Sequence, residues 1–124
     1  MSCEGPPFRA DHVGSLLRPD SLIAARHDVK RGRLSAEELC EREHEAIREV
    51  VAKQESIGLA AITDGEFRRE WWHLDFLSQF HGVTLRENPG LKFGGTEVQP
   101  PIAAVTGKIR YTRPIMVSAF EFLK

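Results

Sequence analysis

Residues 58–69 constrain the fold more than any other stretch of the chain. They begin with a short apolar run, 59–62, which is bounded by Gly58 on one side and by Asp64-Gly65 on the other. A short apolar run with such boundaries is typical of a parallel strand that is buried on both faces. Charged residues follow at once, and α/β folds bind their ligands at the carboxyl ends of parallel strands. The stretch therefore predicts a buried strand, a polar turn and a helix start, with a ligand site at the turn.

The same charges also have a purely structural interpretation. Asp64 could cap the following helix, and Glu66 could form an ion pair with Arg69 across one helical turn. Both interpretations stay open for these residues alone, so the choice depends on the rest of the chain.

Composition and charge limit the class of protein. The chain has 124 residues, of which 17 are basic and 18 are acidic, and 41% are hydrophobic. These values predict one domain over residues 1–124 with a modest core. The near-neutral charge argues against nucleic acid or an acidic membrane as a partner. No apolar run approaches the roughly 20 residues that cross a bilayer, and residues 1–7 lack the core of a signal peptide, so we expect a cytoplasmic protein.

The metal-binding residue types are scattered. The two cysteines, Cys3 and Cys40, are far apart in the chain and are expected to be free thiols. No Cys-x-x-Cys pair and no His/Cys cluster has the spacing of a zinc site. His12 and His73 each stand alone, and we expect them to be structural hydrogen-bonding groups. Taken by themselves, these residues predict no metal site.

Two helices are predicted in the first half of the chain. The first covers 20–31, with its first residue as the N-cap and Gly32 as its end. The second covers 35–57 and begins with a capping box formed by Ser35 and Glu38. This longer helix has the clearer separation of apolar and charged faces.

A first strand is expected over residues 8–13. The order of strand 8–13, helix 35–57 and strand 59–62 favours a right-handed crossover between two parallel strands of one sheet.

The second half of the chain has a different pattern. Residues 70–80 predict a helix rich in aromatic side chains, of which Phe76 and Phe80 are expected to pack in the core. Short strands separated by glycine and proline turns are then predicted at 83–85, Val98 and 103–111. They form a β excursion, after which residues 119–123 predict the start of another helix.

Four short motifs occur in a fixed order along nearly the whole chain. They are RADHVGSLLRP at 9–19, QESIGL at 54–59 with TDGEFRR at 63–69, WHLDFL at 72–77 followed by Gly82-Val83, and VTGKI at 105–109. Together they resemble the cobalamin-independent methionine synthase family, in its shorter bacterial branch. Each motif is weak alone, but the four in this order are specific to the family.

The resemblance implies an α/β fold, namely the first βα units of a (β/α)8 TIM barrel plus the β excursion. It also implies a reaction of methionine biosynthesis, in which a methyl group moves from methyltetrahydrofolate to the thiol of homocysteine. The family uses zinc as its cofactor, because coordination lowers the pKa of the thiol. A complete barrel requires about 250 residues. We therefore expect only its N-terminal part here, without the family's zinc ligands, which belong to later strands.

The resemblance assigns substrate contacts residue by residue. Ser15 matches a serine that contacts the amino-acid part of the substrate, and Gly14 allows the backbone to come close. Glu66 matches the acidic residue that receives the substrate's ammonium group, for which a charge-assisted hydrogen bond is well suited. Arg69 is expected to orient Glu66 or the neighbouring backbone. For Ser15 a turn-capping role stays equally open.

A three-residue stretch and one further position, both beside these residues, depart from the family pattern. The full-length methionine synthases carry Phe-Pro-Gln after Gly-Ser, whereas this chain carries Leu16-Leu17-Arg18. Asp64 stands where those enzymes commonly carry histidine. Arg18 is accordingly expected to pair with a carboxylate or another anion, and the identity of the acceptor thiol stays open.

Two classes of function follow from the sequence. The first is enzymatic: the N-terminal part of a zinc-dependent thiol methyltransferase, with barrels that methylate other thiols or decarboxylate uroporphyrinogen as near alternatives. The second is non-catalytic: a truncated fragment or a small module that binds an anion or an amino acid. We expect the chain alone to be inactive. Self-association is also expected, because an incomplete barrel leaves a sheet edge and apolar helix faces uncovered.

Overall fold

The computed structural model describes residues 12–71, 73–88 and 100–124. The chain divides into two compact units, Met1–Arg68 and Arg69–Lys124. The described elements are α1 (Asp20–Lys30), α2 (Ala36–Ser56), α3 (Leu74–Leu77), β1 (His81–Arg86), β2 (Ile102–Arg110) and α4 (Val117–Leu123). The fold is therefore mixed α/β, with both long helices in the first unit and the sheet in the second.

Helix α1 begins one residue earlier than predicted, because the predicted N-cap, Asp20, is already helical. Pro19 is the N-cap, and Asp20 is the first helical residue. The carbonyl of Pro19 accepts hydrogen bonds from the amides of Leu22 and Ile23. The carboxylate of Asp20 lies in the first turn, where its negative charge interacts favourably with the positive end of the helix dipole. The predicted end is confirmed, since Gly32 follows the helix with φ +68°.

Helix α2 begins with the predicted capping box. The Ser35 hydroxyl accepts a hydrogen bond from the Glu38 amide at 3.1 Å, and the Glu38 carboxylate accepts one from the Ser35 amide at 2.8 Å. The bond that the Ser35 amide donates to the carboxylate is the main cause that lowers the pKa of Glu38. The helix ends where Gly58 adopts φ +78°. Helix α1 packs against α2, and their buried apolar residues are Leu22, Ala25, Ala46 and Ile47.

The strand predicted over 59–62 is not present. The backbone of Thr63 pairs instead with a side chain of α2: its amide donates to Gln54 Oε1 at 3.1 Å, and its carbonyl accepts from Gln54 Nε2 at 2.8 Å. A side-chain amide thus satisfies both backbone groups of the residue that follows the apolar run. The predicted parallel pairing required a strand at 59–62, so it is not found in the described residues. Most of its predicted partner, residues 8–11, lies outside the described residues.

The predicted β excursion is confirmed in the second unit. Strands β1 and β2 pair antiparallel, with Val83 opposite Val105, and the register shifts between His81 and Val83. Gly82 is required at this irregularity, because a Cβ atom there would lie 2.6 Å from the carbonyl oxygen of Lys108. Val98 lies outside the described residues. Helix α4 includes the predicted helix start at 119–123.

The helix predicted over 70–80 is wrong in extent, since only Leu74–Leu77 is helical. The carboxylate of Asp75 accepts hydrogen bonds from the amides of Glu70 and Trp71 and so holds the preceding backbone in a loop. Phe80 is half-buried and packs edge-on against Phe76, with ring centroids 5.4 Å apart. Phe76 remains 42% exposed, so its predicted place in the core is also wrong.

Candidate substrate-binding site

The turn over residues 64–67 has an unusual backbone. Gly65 and Glu66 both have positive φ, +64° and +60°, and the Phe67 amide donates to the Asp64 carbonyl at 3.2 Å. Two successive positive φ values are characteristic of a type I′ turn. Glycine adopts this conformation readily, whereas a left-handed conformation costs an ordinary L-residue such as Glu66 about 1–2 kcal/mol.

Side chains before and within the turn stabilise this conformation. The Asp64 carboxylate accepts a hydrogen bond from the Glu66 amide at 2.9 Å, and the Thr63 hydroxyl accepts one from the Gly65 amide at 3.2 Å. Both are local bonds to the backbone two residues on, as Asp and Thr commonly make in turns. The role found for Asp64 is therefore to shape the turn rather than to cap a helix.

Ser15 and Glu66 are in direct contact, although 51 residues separate them in the chain. The Ser15 hydroxyl donates to Glu66 Oε2 at 2.7 Å. The backbone brings them together, because the Leu16 amide donates to the Gly65 carbonyl at 3.1 Å. Their contact agrees with the family resemblance, which assigns both side chains to the amino-acid part of one substrate, while that substrate role stays a prediction. Gly14 precedes them with φ +99°.

The other two predicted site residues differ in what the structure establishes. Arg18 Nη2 donates to the backbone carbonyl of Glu66 at 3.1 Å, so this guanidinium contacts the turn itself. Its predicted pairing with an anion stays a prediction. Arg69 is the first residue of the second unit, and its predicted contact with Glu66 also stays a prediction.

A second group of charged residues, which was not predicted, contacts the turn at the carbonyl of Phe67. Arg26 on α1 donates through Nη2 to the Phe67 carbonyl and to Glu43 Oε1, the latter at 3.0 Å. Glu43 Oε2 lies 3.7 Å from Arg68 Nη1. Burial raises the pKa of Glu43 despite the opposing effects of Arg26 and Arg68. The sequence signal that could have revealed it is a carboxylate four residues before Ile47, within the apolar face of α2.

The described residues do not offer a zinc site. Within 12–71, 73–88 and 100–124, no group of three or more His, Cys, Asp or Glu side chains could hold a metal ion. Cys40 Sγ lies 3.7 Å from His44 Nε2, but zinc sites use three or four protein ligands. Zinc chemistry therefore cannot be derived from these residues.

The Ser15–Glu66 pair could accept a cation. A carboxylate has about four lone-pair positions, so Glu66 can accept the Ser15 hydroxyl and an ammonium group together. Ser15 is exposed and Glu66 half-buried, so a small ligand could reach the pair from solvent. No helix in the part of the chain that the structure describes is long and apolar enough to span a bilayer.

Comparison with known proteins defines the family. The profile of the cobalamin-independent synthase catalytic domain matches residues 8–121, which is most of the chain. The chain belongs to this family of cobalamin-independent methionine synthases.

Individual relatives agree with that assignment. The uncharacterized Bacillus subtilis protein YxjH is 43% identical over 118 residues. The 5-methyltetrahydropteroyltriglutamate–homocysteine methyltransferase of Bifidobacterium animalis is 32% identical over 107 residues, which are 86% of this chain and 14% of that enzyme. The crystal structure of a candidate vitamin-B12-independent methionine synthase from Listeria monocytogenes superposes with a TM-score of 0.73 at 39% identity. The chain spans 31% of YxjH and 32% of the Listeria protein.

Proposed function

We propose that this chain forms the part of a (β/α)8-barrel S-methyltransferase that binds the amino-acid substrate. The enzyme moves a methyl group from methyltetrahydrofolate to the thiol of homocysteine. The observation that carries the proposal is the 2.7 Å hydrogen bond from Ser15 to Glu66. It joins the two residues that the family resemblance assigns to the substrate. The family match over residues 8–121 supports the barrel as the surrounding fold.

In this proposal Glu66 binds the α-ammonium group of homocysteine. The Ser15 hydroxyl fixes the carboxylate and contributes its own oxygen as a polar contact for the amino-acid part of the substrate. A hydrogen bond to a charged group contributes about 1.5–3 kcal/mol, so this ion pair would be a main source of affinity. Arg18 acts chiefly by holding the Glu66 carbonyl.

The chain contributes binding and orientation in this proposal, and no step of methyl transfer is assigned to it. Zinc enters only through the family, because the described residues hold no candidate metal site. The chain spans about a third of YxjH, and we propose that the rest of a barrel supplies the thiol-activating groups. An incomplete barrel would self-associate through its uncovered apolar surfaces.

Titration of the purified chain with L-homocysteine tests the binding role. We expect Glu66→Gln to weaken binding by about tenfold to a hundredfold, in line with the loss of a charged hydrogen bond. Ser15→Ala should weaken it less, because the carboxylate keeps its charge. Glu45→Gln, the same substitution at an exposed position of α2, is the matched control. Equal affinities for the Glu66→Gln and control variants would contradict the proposal.

A different acceptor thiol is the second candidate. Asp64, found where the methionine synthases commonly carry histidine, places a second carboxylate in the turn and bonds the Glu66 amide. The reported relative of highest identity, at 43%, is the uncharacterized YxjH, whereas the Bifidobacterium methyltransferase is 32% identical. Competition titrations with thiols that lack either the ammonium or the carboxylate of homocysteine separate the two candidates. Homocysteine should bind best if it is the acceptor.

A further inference from the structure

The placement of the Glu66 carboxylate depends on how firmly its turn is held. Glu66 has φ +60°, which is unfavourable for any residue with a Cβ atom, and such conformations persist only where the surroundings fix them. The local bonds from Asp64 and Thr63 hold the amides of the turn. The carbonyl groups of Glu66 and Phe67 are bonded by side chains from other parts of the chain.

Two arginines donate hydrogen bonds to successive carbonyl groups of this turn. Arg18 Nη2 donates to the carbonyl of Glu66, and Arg26 Nη2 donates to the carbonyl of Phe67. Phe67 is itself only 2% exposed, so the second carbonyl is anchored on the buried side of the turn. Because Arg26 belongs to α1, this bond ties the turn to the helical layer.

Glu43 fixes the position of Arg26. The same Nη2 atom that holds the Phe67 carbonyl donates to Glu43 Oε1 at 3.0 Å. The other carboxylate oxygen faces Arg68 Nη1 at 3.7 Å. The Arg26, Glu43 and Arg68 side chains are 16%, 12% and 18% exposed, so water screens these contacts little. One carboxylate on α2 thus contacts the guanidinium groups of both Arg26 and Arg68.

We infer that Glu43 and Arg26 are positioning residues for Glu66, holding the substrate-binding carboxylate in place through the Phe67 carbonyl. The inference rests on the proposed function only for the ligand that Glu66 binds. Neither residue touches the substrate. Their effect passes through the backbone of residues 66 and 67.

Stability alone does not separate this role from simple stabilisation of the fold. Burial raises the pKa of Glu43, so the ionised carboxylate is less favourable in the folded chain than in the unfolded chain. Removing one partner of a buried ion pair is nevertheless destabilising, because the other charges are left uncompensated, so Glu43→Gln should lose stability under either role. Only a positioning role also predicts a changed Glu66 backbone in the folded variant.

The test compares Glu43→Gln with Glu45→Gln, an identical change at an exposed position of the same helix. In the ligand-free chain, nuclear magnetic resonance measures the φ angle of Glu66 through its HN–Hα coupling and intraresidue NOE. We expect Glu45→Gln to keep the positive φ signature and Glu43→Gln to average it. Because no ligand is present, this measurement tests the positioning role even if homocysteine does not bind to the chain.

Homocysteine affinity then gives the functional readout. We expect Glu43→Gln to weaken binding about fivefold or more in the parent chain and to change it little in a Glu66→Gln background, since residues acting through one group are not additive. Arg26→Lys, which keeps the charge but lacks the planar guanidinium, should act in the same direction and takes the place of Glu43→Gln where that variant does not fold. Unchanged Glu66 geometry and unchanged affinity in Glu43→Gln or its replacement would overturn the inference, and so would equal losses in both backgrounds.

Discussion

The side-chain amide of Gln54 satisfies both backbone groups of Thr63. Gln54 Oε1 accepts from the Thr63 amide at 3.1 Å, and Gln54 Nε2 donates to the Thr63 carbonyl at 2.8 Å. Gln54 is only 3% exposed, so water does not compete for these bonds. This pair fixes the entry to the turn that carries Glu66, because Thr63 is the residue immediately before it.

Loss of the Gln54 amide should destabilise the fold. Gln54→Met keeps the length of the side chain but leaves the Thr63 amide and carbonyl without this partner, at a cost of about 1–3 kcal/mol for each buried group left unsatisfied. Urea unfolding followed by circular dichroism measures the difference. Glu55→Met, at the next and exposed position of α2, should change the unfolding free energy by less than about 0.5 kcal/mol. Equal effects of the two substitutions would contradict the role assigned to Gln54.

Gly65 should tolerate a methyl group less well than Gly32. The two have nearly the same φ, +64° and +68°, but a Cβ atom at residue 65 would lie 3.0 Å from the Phe67 ring and 3.1 Å from Leu16 Cβ, whereas one at residue 32 meets nothing within 4 Å. Both alanine substitutions carry the left-handed cost of about 1–2 kcal/mol. Gly65→Ala should add about 1–3 kcal/mol for the crowded contact. Thermal unfolding of both variants gives the comparison, and equal losses would show that the turn can relax.

The stability of the chain should depend on the ionisation of Glu43. Its pKa is raised by burial, against the attraction of Arg26 on α1, Arg68 just after the turn and His44 on α2. A carboxyl group with a raised folded-state pKa contributes stability that is fully present below its unfolded pKa and lost as the pH rises through the folded pKa. The parent chain should therefore lose stability relative to Glu43→Gln as the pH rises from the ordinary glutamate range through the raised pKa. Urea unfolding across acidic to neutral pH measures this difference, and the opposite slope would mean that the two arginines outweigh burial.

Zinc and methyl transfer should both be absent from the purified chain alone. A protein zinc site needs three or four ligands in fixed geometry, and the described residues contain no such group. Metal analysis after dialysis should find less than stoichiometric zinc. An assay with methyltetrahydrofolate, homocysteine and added zinc should give no methionine. One zinc per chain together with turnover would contradict this expectation.

Local sequence signals predicted the elements that local physics determines. The capping box at Ser35 and Glu38 and the glycine that ends α2 require only neighbouring residues, and the structure contains both. The strands of the β excursion were likewise marked by turn residues on either side. The proximity of Ser15 and Glu66 came from family resemblance, because no local rule joins residues 51 positions apart.

The errors lie where side-chain hydrogen bonds to the backbone replace the backbone pairing that residue patterns predict. The apolar run at 59–62 predicted a strand, but the adjacent Thr63 pairs with the side chain of Gln54. The helix predicted over 70–80 is shortened because Asp75 bonds upstream amides. The contact of Arg26 with Glu43 depends on how two helices pack, which single-residue patterns do not specify.

The central claim is that Glu66 binds the ammonium group of an amino-acid thiol. The most direct measurement compares the affinities of L-homocysteine and 4-mercaptobutyrate, which differ only in that ammonium group, for the parent chain and for Glu66→Gln. The parent should prefer homocysteine by about tenfold or more, as expected for a charged hydrogen bond, and Glu66→Gln should bind the two compounds nearly equally. A preference that survives unchanged in Glu66→Gln would contradict the claim, because the ammonium group would then be bound elsewhere.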